Sequence, residues 1–281
     1  MSTLSVAAVA ANFGRDLDES FGRIETLLGQ ARERGAQLVV LPEATLGGYL
    51  ANLDGAGDVS LPPALDVDGP QVRRLAALAG AADLVVTAGL CEADGTTRYN
   101  TAVAVHGDGV LGVHRKVHQP LGEGASYAAG DRFAAFDTPV GRLGMMICYD
   151  KAFPEAARAL AVDGAQIVAC MSAWPAARTH SAPDLADDRW TRRFDLFDRA
   201  RALENQLLWV SANQSGTFGS LRFVASAKIV DSGGDVLATT GTGPGIAHAE
   251  VDLDAMLAGA RGGMFHLRDR RADVYAAAVG A

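Results

Sequence analysis

The feature that most constrains this chain is a buried strand that ends on a cysteine and is followed closely by a helix. Residues 143–147 (LGMMI) form a short apolar run of the kind that a fully buried strand gives. Cys148 comes directly after the run, and Pro154 then suits the first turn of a helix, because that position needs no backbone N–H. A turn between a buried strand and a helix brings a side chain out of the core at the end of a sheet. Cys148 is therefore a candidate nucleophile.

Two other ionisable residues stand at the ends of predicted buried strands. Glu43 follows an apolar strand at 38–41, where a carboxylate is costly unless it has partners. Lys116 ends the second strand of a hairpin predicted at 99–105 and 110–116. Strand ends of one α/β domain commonly face the same crevice. We therefore expect a carboxylate, an ammonium and a thiol to meet, which supply a base, a cationic stabiliser and a nucleophile for acyl transfer.

The order of the predicted elements indicates one α/β domain. Helices and strands alternate early in the chain, which is typical of sheets covered by helices. Two hairpins, the second pairing a strand at 221–230 with one at 235–239, indicate that the sheets are mixed. The Gly- and Asp-rich segment 47–58, which includes Tyr49, is predicted to be a surface loop. No repeat or linker divides the chain, so residues 1–281 are predicted to form a single domain.

Composition narrows the classes of function. A net charge of -8 argues against nucleic acid or an anionic membrane as a partner. No apolar run approaches the roughly 18 residues of a membrane span, and the N-terminus lacks the pattern of a signal peptide. Cys91, Cys148 and Cys170 do not have the spacing of a disulfide framework, which indicates free thiols and a cytoplasmic location.

His114 and His118 do not form a His-Glu-x-x-His site, and no metal is expected.

Several short motifs carry a resemblance to a known family. They are LPEA at 41–44, HRKVH at 114–118, and ICYD at 147–150 followed by FPE at 153–155. In this order, each at a strand end, they resemble the three signatures of the nitrilase superfamily of carbon–nitrogen hydrolases. RALEN at 201–205 and DSGG at 231–234 add to the resemblance, which covers nearly the whole chain.

The resemblance implies an αββα sandwich of two mixed β-sheets flanked by helices, with Glu43, Lys116 and Cys148 as a catalytic triad and no cofactor. Two such sandwiches usually pair, so a homodimer or higher homo-oligomer is expected, with the tail at 264–281 at the subunit interface. In this family Cys148 would attack a carbonyl carbon and Glu43 would transfer the proton. Lys116 and the backbone N–H of Tyr149 would hold the oxyanion.

The resemblance also suggests accessory residues. In the amidase branches a second glutamate follows the lysine, and Glu123 is the candidate. Tyr49, Tyr149, Trp174 and Arg178 are candidates for positioning the substrate. Trp174 suits either the core or a pocket wall, and Arg178 is either a clamp for a substrate carboxylate or a solvated loop residue.

The pair Tyr149-Asp150 resembles the amidase and carbamoylase branches, whereas nitrilases more often have Trp-Glu after the cysteine. The expected activity is hydrolysis of a small linear amide or N-carbamoyl (ureido) compound through a cysteine thioester, with release of ammonia or amine. A nitrilase that converts a nitrile to an acid is the alternative on the same fold. A non-catalytic binding member of the family is the third hypothesis.

Overall fold

The structure, a computed structural model, describes residues 3–54 and 61–279, with side chains as far as residue 275. The helices are α1 (Leu17–Glu33), α2 (Pro70–Ala82), α3 (Pro154–Val162), α4 (Arg189–Asn205), α5 (Leu253–Gly263) and α6 (Ala272–Val279). The strands are β1 (Leu4–Ala11), β2 (Leu38–Val40), β3 (Val85–Asp94), β4 (Thr97–His106), β5 (Gly109–Arg115), β6 (Ala135–Thr138), β7 (Gly141–Ile147), β8 (Ile167–Ser172), β9 (Leu208–Gln214), β10 (Thr217–Phe218), β11 (Leu221–Arg222), β12 (Lys228–Val230), β13 (Val236–Thr239) and β14 (Gly245–Val251).

Twelve strands form one continuous sheet that folds into two mixed sheets, and β10 and β11 form a separate two-stranded ribbon. The first sheet has the order β5-β4-β3-β2-β1-β14, and the second has the order β13-β12-β9-β8-β7-β6. They are joined where Ala10 and Ala11 of β1 pair with Asn213 and Gln214 of β9. The hairpin of β4 and β5 is the one predicted from the sequence.

Helices cover the outer face of each sheet. Residues of β1 alternate, so that Val6 and Ala8 pack between the two sheets while Ala7 and Val9 pack against α1 and α2. On the other side, Leu160 of α3 packs on the second sheet. The layers therefore have the order αββα, which confirms the predicted fold class.

The strand directions explain why the candidate residues meet. β1, β2 and β3 run parallel to one another, and β9, β8 and β7 run parallel to β1. β5 runs in the same direction, because both β3 and β5 are antiparallel to β4. The carboxyl ends of all these strands lie at one edge of the sandwich, where ligands of open α/β sheets commonly bind. Glu43, Lys116 and Cys148 follow β2, β5 and β7 at this edge.

The prediction of one continuous strand at 221–230 is wrong. β11 ends at Arg222 and β12 begins at Lys228, with irregular backbone between them. Ala225 and Ser226 in this break have φ values of 56° and 55°, a left-handed conformation that cannot continue a strand. The hairpin of β12 and β13 is nevertheless formed.

The prediction of a surface loop around Tyr49 is also wrong. Tyr49 is only 2% exposed, and its ring packs edge-on against Phe223. The guanidinium of Arg15 donates to the carbonyls of Gly47 and Tyr49, which holds this segment against the end of the sheets. The predicted loop continued to Asp58, and its part at 55–58 lies outside the described residues.

The C-terminal segment carries exposed apolar side chains, including Met264, Phe265, Val274 and Tyr275. Helix α6 within it was not predicted from the sequence. The location of the tail at 264–281 at a subunit interface stays a prediction. Within residues 3–54 and 61–279, none of the helices combines the length and the apolar character needed to cross a bilayer.

Candidate active site

Cys148 lies where β7 ends and a 3-10 turn, Cys148–Ala152, begins. Its φ is +51°, a left-handed conformation that is uncommon for a residue with a side chain. The sharp turn directs the chain out of the strand, yet Cys148 remains only 3% exposed. The candidate nucleophile is therefore buried at a strained point of the backbone, as functional residues often are.

Glu43 is held by three hydrogen-bond donors. Its Oε1 accepts from Lys116 Nζ at 2.8 Å and from Asn100 Nδ2 at 2.6 Å, and its Oε2 accepts from the backbone N–H of Ala173 at 2.5 Å. The side chain is fully buried, and these bonds offset the cost of removing the carboxylate from water. The backbone of Glu43 packs directly against Gly89 of β3. Only glycine allows this close approach, because a Cβ at Gly89 would stand 2.9 Å from the Glu43 backbone.

Glu123 completes a buried group of alternating charge. Its Oε2 accepts from Lys116 Nζ at 2.7 Å, and its Oε1 accepts from Asn100 Nδ2 at 2.7 Å. Lys116 and Asn100 thus each bridge the carboxylates of Glu43 and Glu123. The side chains of both glutamates and the lysine are 0% exposed. The structure therefore places the candidate second glutamate in direct contact with Lys116.

The charges in this group act on one another. Burial alone would lower the pKa of Lys116, but the carboxylates of Glu123 and Glu43 raise it well above its usual value. Burial raises the pKa of Glu123 to about 7, against the opposing charge of Lys116. Burial and then the negative charge of Glu43 raise the pKa of the Cys148 thiol well above its usual value. The resting thiol is therefore protonated at neutral pH, and attack by its sulfur requires a base.

Asp150 fastens the end of β5 to the end of β7. Its Oδ1 accepts from the backbone N–H and the ring Nδ1 of His118, both at 2.9 Å. Its Oδ2 accepts from His114 Nε2 and from the backbone N–H of Ile147, both at 3.1 Å. Burial would raise the pKa of Asp150, but the hydrogen bonds from the two histidines hold it well below its usual range. One charged carboxylate thus joins the segment after Lys116 to the turn that carries the thiol.

A cavity of about 100 Å³ opens on Cys148 and has a mostly apolar wall. Tyr49, Tyr149, Trp174 and Arg178, the four candidates for substrate positioning, all line it. The Trp174 side chain is also part of the core between the sheets, so it lies both in the core and in the wall of the cavity. The guanidinium of Arg178 pairs with Asp54, and the Arg178 side chain is 39% exposed, so it is accessible from solvent.

A larger cavity, about 390 Å³, lies elsewhere, lined by Glu92, His114, Arg115 and Arg132 among others. None of the three candidate catalytic residues lines it, so it is not the candidate active site. Among the described residues, no group of three or more His, Cys, Asp and Glu side chains is arranged to hold a metal ion.

Two contributors to the site were missed from the sequence. Asn100 donates to both glutamates, and the sequence signal for it was an amide at the start of a buried stretch of β4 in which Thr101 and then alternating Ala and Val residues follow. Ala173 binds Glu43 through its backbone N–H, a group that every residue except proline has, so its residue type gave no signal. A third residue, Asp150, was noted as part of a motif, but its bridging contacts were not foreseen.

A model of the carbon–nitrogen hydrolase family matches residues 5–260. The chain belongs to this family. Among curated relatives, it is 33% identical to a nitrilase of Pyrococcus abyssi over 84% of each chain. It is 30% identical to a citrullinase of Francisella tularensis over 98% of each chain. The family assignment makes the protein a carbon–nitrogen hydrolase of the nitrilase superfamily.

Solved structures of family members have the same fold. A carbon–nitrogen hydrolase from Helicobacter pylori superposes with a TM-score of 0.85 over 99% of both chains, at 26% identity. A double mutant of the amidase from Nesterenkonia sp. AN1, in complex with acrylamide, superposes with a TM-score of 0.78 at 25% identity. That match covers 98% of this carbon–nitrogen hydrolase and 97% of the amidase.

Proposed function

We propose that this protein hydrolyses the carbon–nitrogen bond of a small linear amide through a thioester on Cys148. The observation that carries the proposal is the buried cluster of Glu43, Lys116 and Glu123 beside a cavity that opens on Cys148. These groups supply a base, a permanent cation and a nucleophile within one site shielded from water.

In the acylation step, the sulfur of Cys148 forms a bond to the carbonyl carbon while its proton passes to Glu43. A base is needed because the thiol is protonated at rest. Lys116 and the backbone N–H of Tyr149 hold the oxyanion of the tetrahedral intermediate. The carbon–nitrogen bond then breaks, and Glu43 returns the proton to the leaving nitrogen, so that ammonia or an amine departs and a thioester remains.

In the deacylation step, Glu43 takes a proton from a water molecule that attacks the thioester. Collapse of the second tetrahedral intermediate releases the acid, and the proton returns to the sulfur of Cys148. Glu123 and Asn100 keep Lys116 and Glu43 in place throughout, because each contacts a member of the reacting group. Lys116 stays cationic in both steps, which its raised pKa supports.

The shape of the cavity favours a small acyl group. Its aromatic lining from Tyr49, Tyr149 and Trp174 suits an apolar chain beside the reacting carbonyl. Arg178 would bind a carboxylate at the far end of a substrate in exchange for Asp54, because an exposed ion pair is worth only about 0–1 kcal/mol. One relative is named a citrullinase, and citrulline carries a ureido group, so N-carbamoyl substrates remain within the proposal.

Nitrile hydrolysis is the second candidate function, and the 33% identity to a nitrilase favours it. A set of matched amides, ureido compounds and nitriles with the same carbon chain separates the two. We expect ammonia release from the amides or ureido compounds at rates well above those from the nitriles. Selective turnover of the nitriles would overturn the amide assignment.

The nucleophile is tested with Cys148→Ala, which should abolish turnover, and with Cys170→Ala as the matched control. Cys170 is also fully buried, and burial raises its pKa to about 12, but it lines no part of the cavity at Cys148. Intact-mass analysis of the acid-quenched enzyme should show an acyl adduct on the wild type and on Cys170→Ala only. Full activity of Cys148→Ala, or the absence of turnover on every compound, would contradict the proposal.

A further inference from the structure

Two buried lysines behind the active site share one carboxylate. Asp198 accepts from Lys151 Nζ at 2.7 Å through Oδ1 and from Lys228 Nζ at 2.9 Å through Oδ2. The indole N–H of Trp209 donates to Oδ1 as well, at 2.8 Å. Asp198 and Lys151 are 0% exposed and Lys228 is 2% exposed. Although burial opposes ionisation, the two ammonium groups lower the pKa of Asp198, so the carboxylate stays charged.

The two lysines belong to different parts of the fold. Lys151 lies in the same 3-10 turn as Cys148, three residues further along the chain, whereas Lys228 begins β12. The Lys151 ammonium also lies 3.1 Å from the centroid of the Phe194 ring, a close cation–π contact with α4. Lys151 thus connects the turn that carries the thiol to the helix that covers the second sheet.

Stability alone does not explain this arrangement. An apolar side chain of similar length in place of a buried ion pair is often neutral or stabilising, because burying the charges is costly. What an ion pair adds is a defined direction, since the ammonium must meet Asp198. Arg201 acts on the same turn by donating to the carbonyls of Lys151 and Ala152. The turn is therefore fixed to α4 at its far end, while Cys148 at its near end has the strained φ of +51°.

We propose that Lys151 is a positioning residue for the nucleophile. By binding Asp198 it fixes the turn Cys148–Ala152 and so aims the Cys148 sulfur at the substrate carbonyl; this role rests on the proposed function. Lys228 neutralises the same carboxylate and lies 4.1 Å from the centroid of the same Phe194 ring, but it has no covalent link to the turn. It has two further partners, Asp195 at 3.0 Å and the carbonyl of Ser226 at 2.6 Å. The two lysines therefore place the same charge on Asp198, but only Lys151 is part of the turn that carries Cys148.

The test compares Lys151→Met with Lys228→Met. Each variant removes one ammonium from Asp198 and keeps an unbranched side chain of similar length. Since a misplacement of about 1 Å can lower a rate roughly 10²-fold, we expect Lys151→Met to lower kcat at least about tenfold with little change in KM. Lys228→Met should keep kcat within about threefold of the wild type, because it leaves the turn attached to Asp198 and so does not misplace Cys148. Thermal unfolding of both variants shows whether each is folded.

A second readout does not depend on turnover. The rate of iodoacetamide alkylation at Cys148, followed by peptide mass spectrometry, should fall in Lys151→Met and not in Lys228→Met. If the wild type hydrolyses no amide, the proposed function fails while this comparison still tests the role of Lys151. Equal losses in the two variants, or unchanged kcat and alkylation in Lys151→Met, would overturn the positioning role.

Should Lys151→Met fail to fold, the pair Lys151→Gln and Lys228→Gln replaces it. Glutamine can still donate one neutral hydrogen bond to Asp198, which is weaker than the charged one. We expect a several-fold loss of kcat in Lys151→Gln alone. Equal kcat values in the two glutamine variants would overturn the proposal.

Discussion

Replacing Asn100 with leucine tests the buried carboxylate group most directly. The change removes the hydrogen bonds to Glu43 and Glu123, at 2.6 and 2.7 Å, and leaves little empty volume because the two side chains are similar in size. A hydrogen bond to a charged group contributes about 1.5–3 kcal/mol. Each carboxylate keeps Lys116 as a donor, so the lower figure applies to each bond. Asn100→Leu should therefore lower the free energy of unfolding by about 3 kcal/mol.

Thermal unfolding followed by circular dichroism measures this loss. For a chain of this length, about 3 kcal/mol corresponds to a fall in Tm of roughly 5 °C. We also expect kcat for the best amide to fall at least about tenfold, because the orientation of Glu43 is loosened.

The matched control is Thr87→Val on the neighbouring strand β3. Thr87 is fully buried, and its Oγ1 has no hydrogen-bond partner within the described residues. Thr87→Val is therefore expected to leave Tm unchanged or raise it. An unchanged Tm in Asn100→Leu, or an equal fall in Thr87→Val, would refute the reasoning that Asn100 stabilises the two glutamates.

Three further predictions follow from the same geometry. Gly89→Ala should lower the free energy of unfolding by about 1–3 kcal/mol in urea titrations, because its Cβ would overlap the backbone nitrogen of Ala44 and stand 2.9 Å from the Glu43 backbone. Glu43→Gln should lower turnover about 10²–10⁴-fold, because it removes the base. It should nevertheless lower the pKa of Cys148, because the negative charge of Glu43 raises that pKa. The ultraviolet absorbance of the thiolate, corrected with Cys148→Ala, should therefore appear at lower pH than in the wild type. Asp150→Asn should lower kcat with little change in KM, and should lower Tm. Because the pKa of Asp150 is lowered by folding, this loss of Tm should be full above about pH 4 and shrink as the pH falls further, whereas a pH-independent loss would contradict the charged state of Asp150.

Much of the fold follows from local patterns. The apolar run before Cys148 and the proline after it predicted β7 and α3. Tyr49 shows where such patterns fail. Two glycines and nearby aspartates are typical of a surface loop, but Tyr49 is buried because it packs against residues distant in the chain, such as Phe223. Arg15 also hydrogen-bonds to the carbonyls of Gly47 and Tyr49.

By itself, the sequence determined which residue types stand at the ends of the buried strands, because apolar periodicity reports burial along a single element. Glu43, Lys116 and Cys148 could be singled out in this way. Only the tertiary structure decided which polar groups face one another across the two sheets. Asn100 between the glutamates, Asp150 between two strand ends, and Lys151 with Lys228 on Asp198 all depend on sheet register and on the packing of separate layers. Such contacts join residues that are distant in the chain, so no local pattern encodes them.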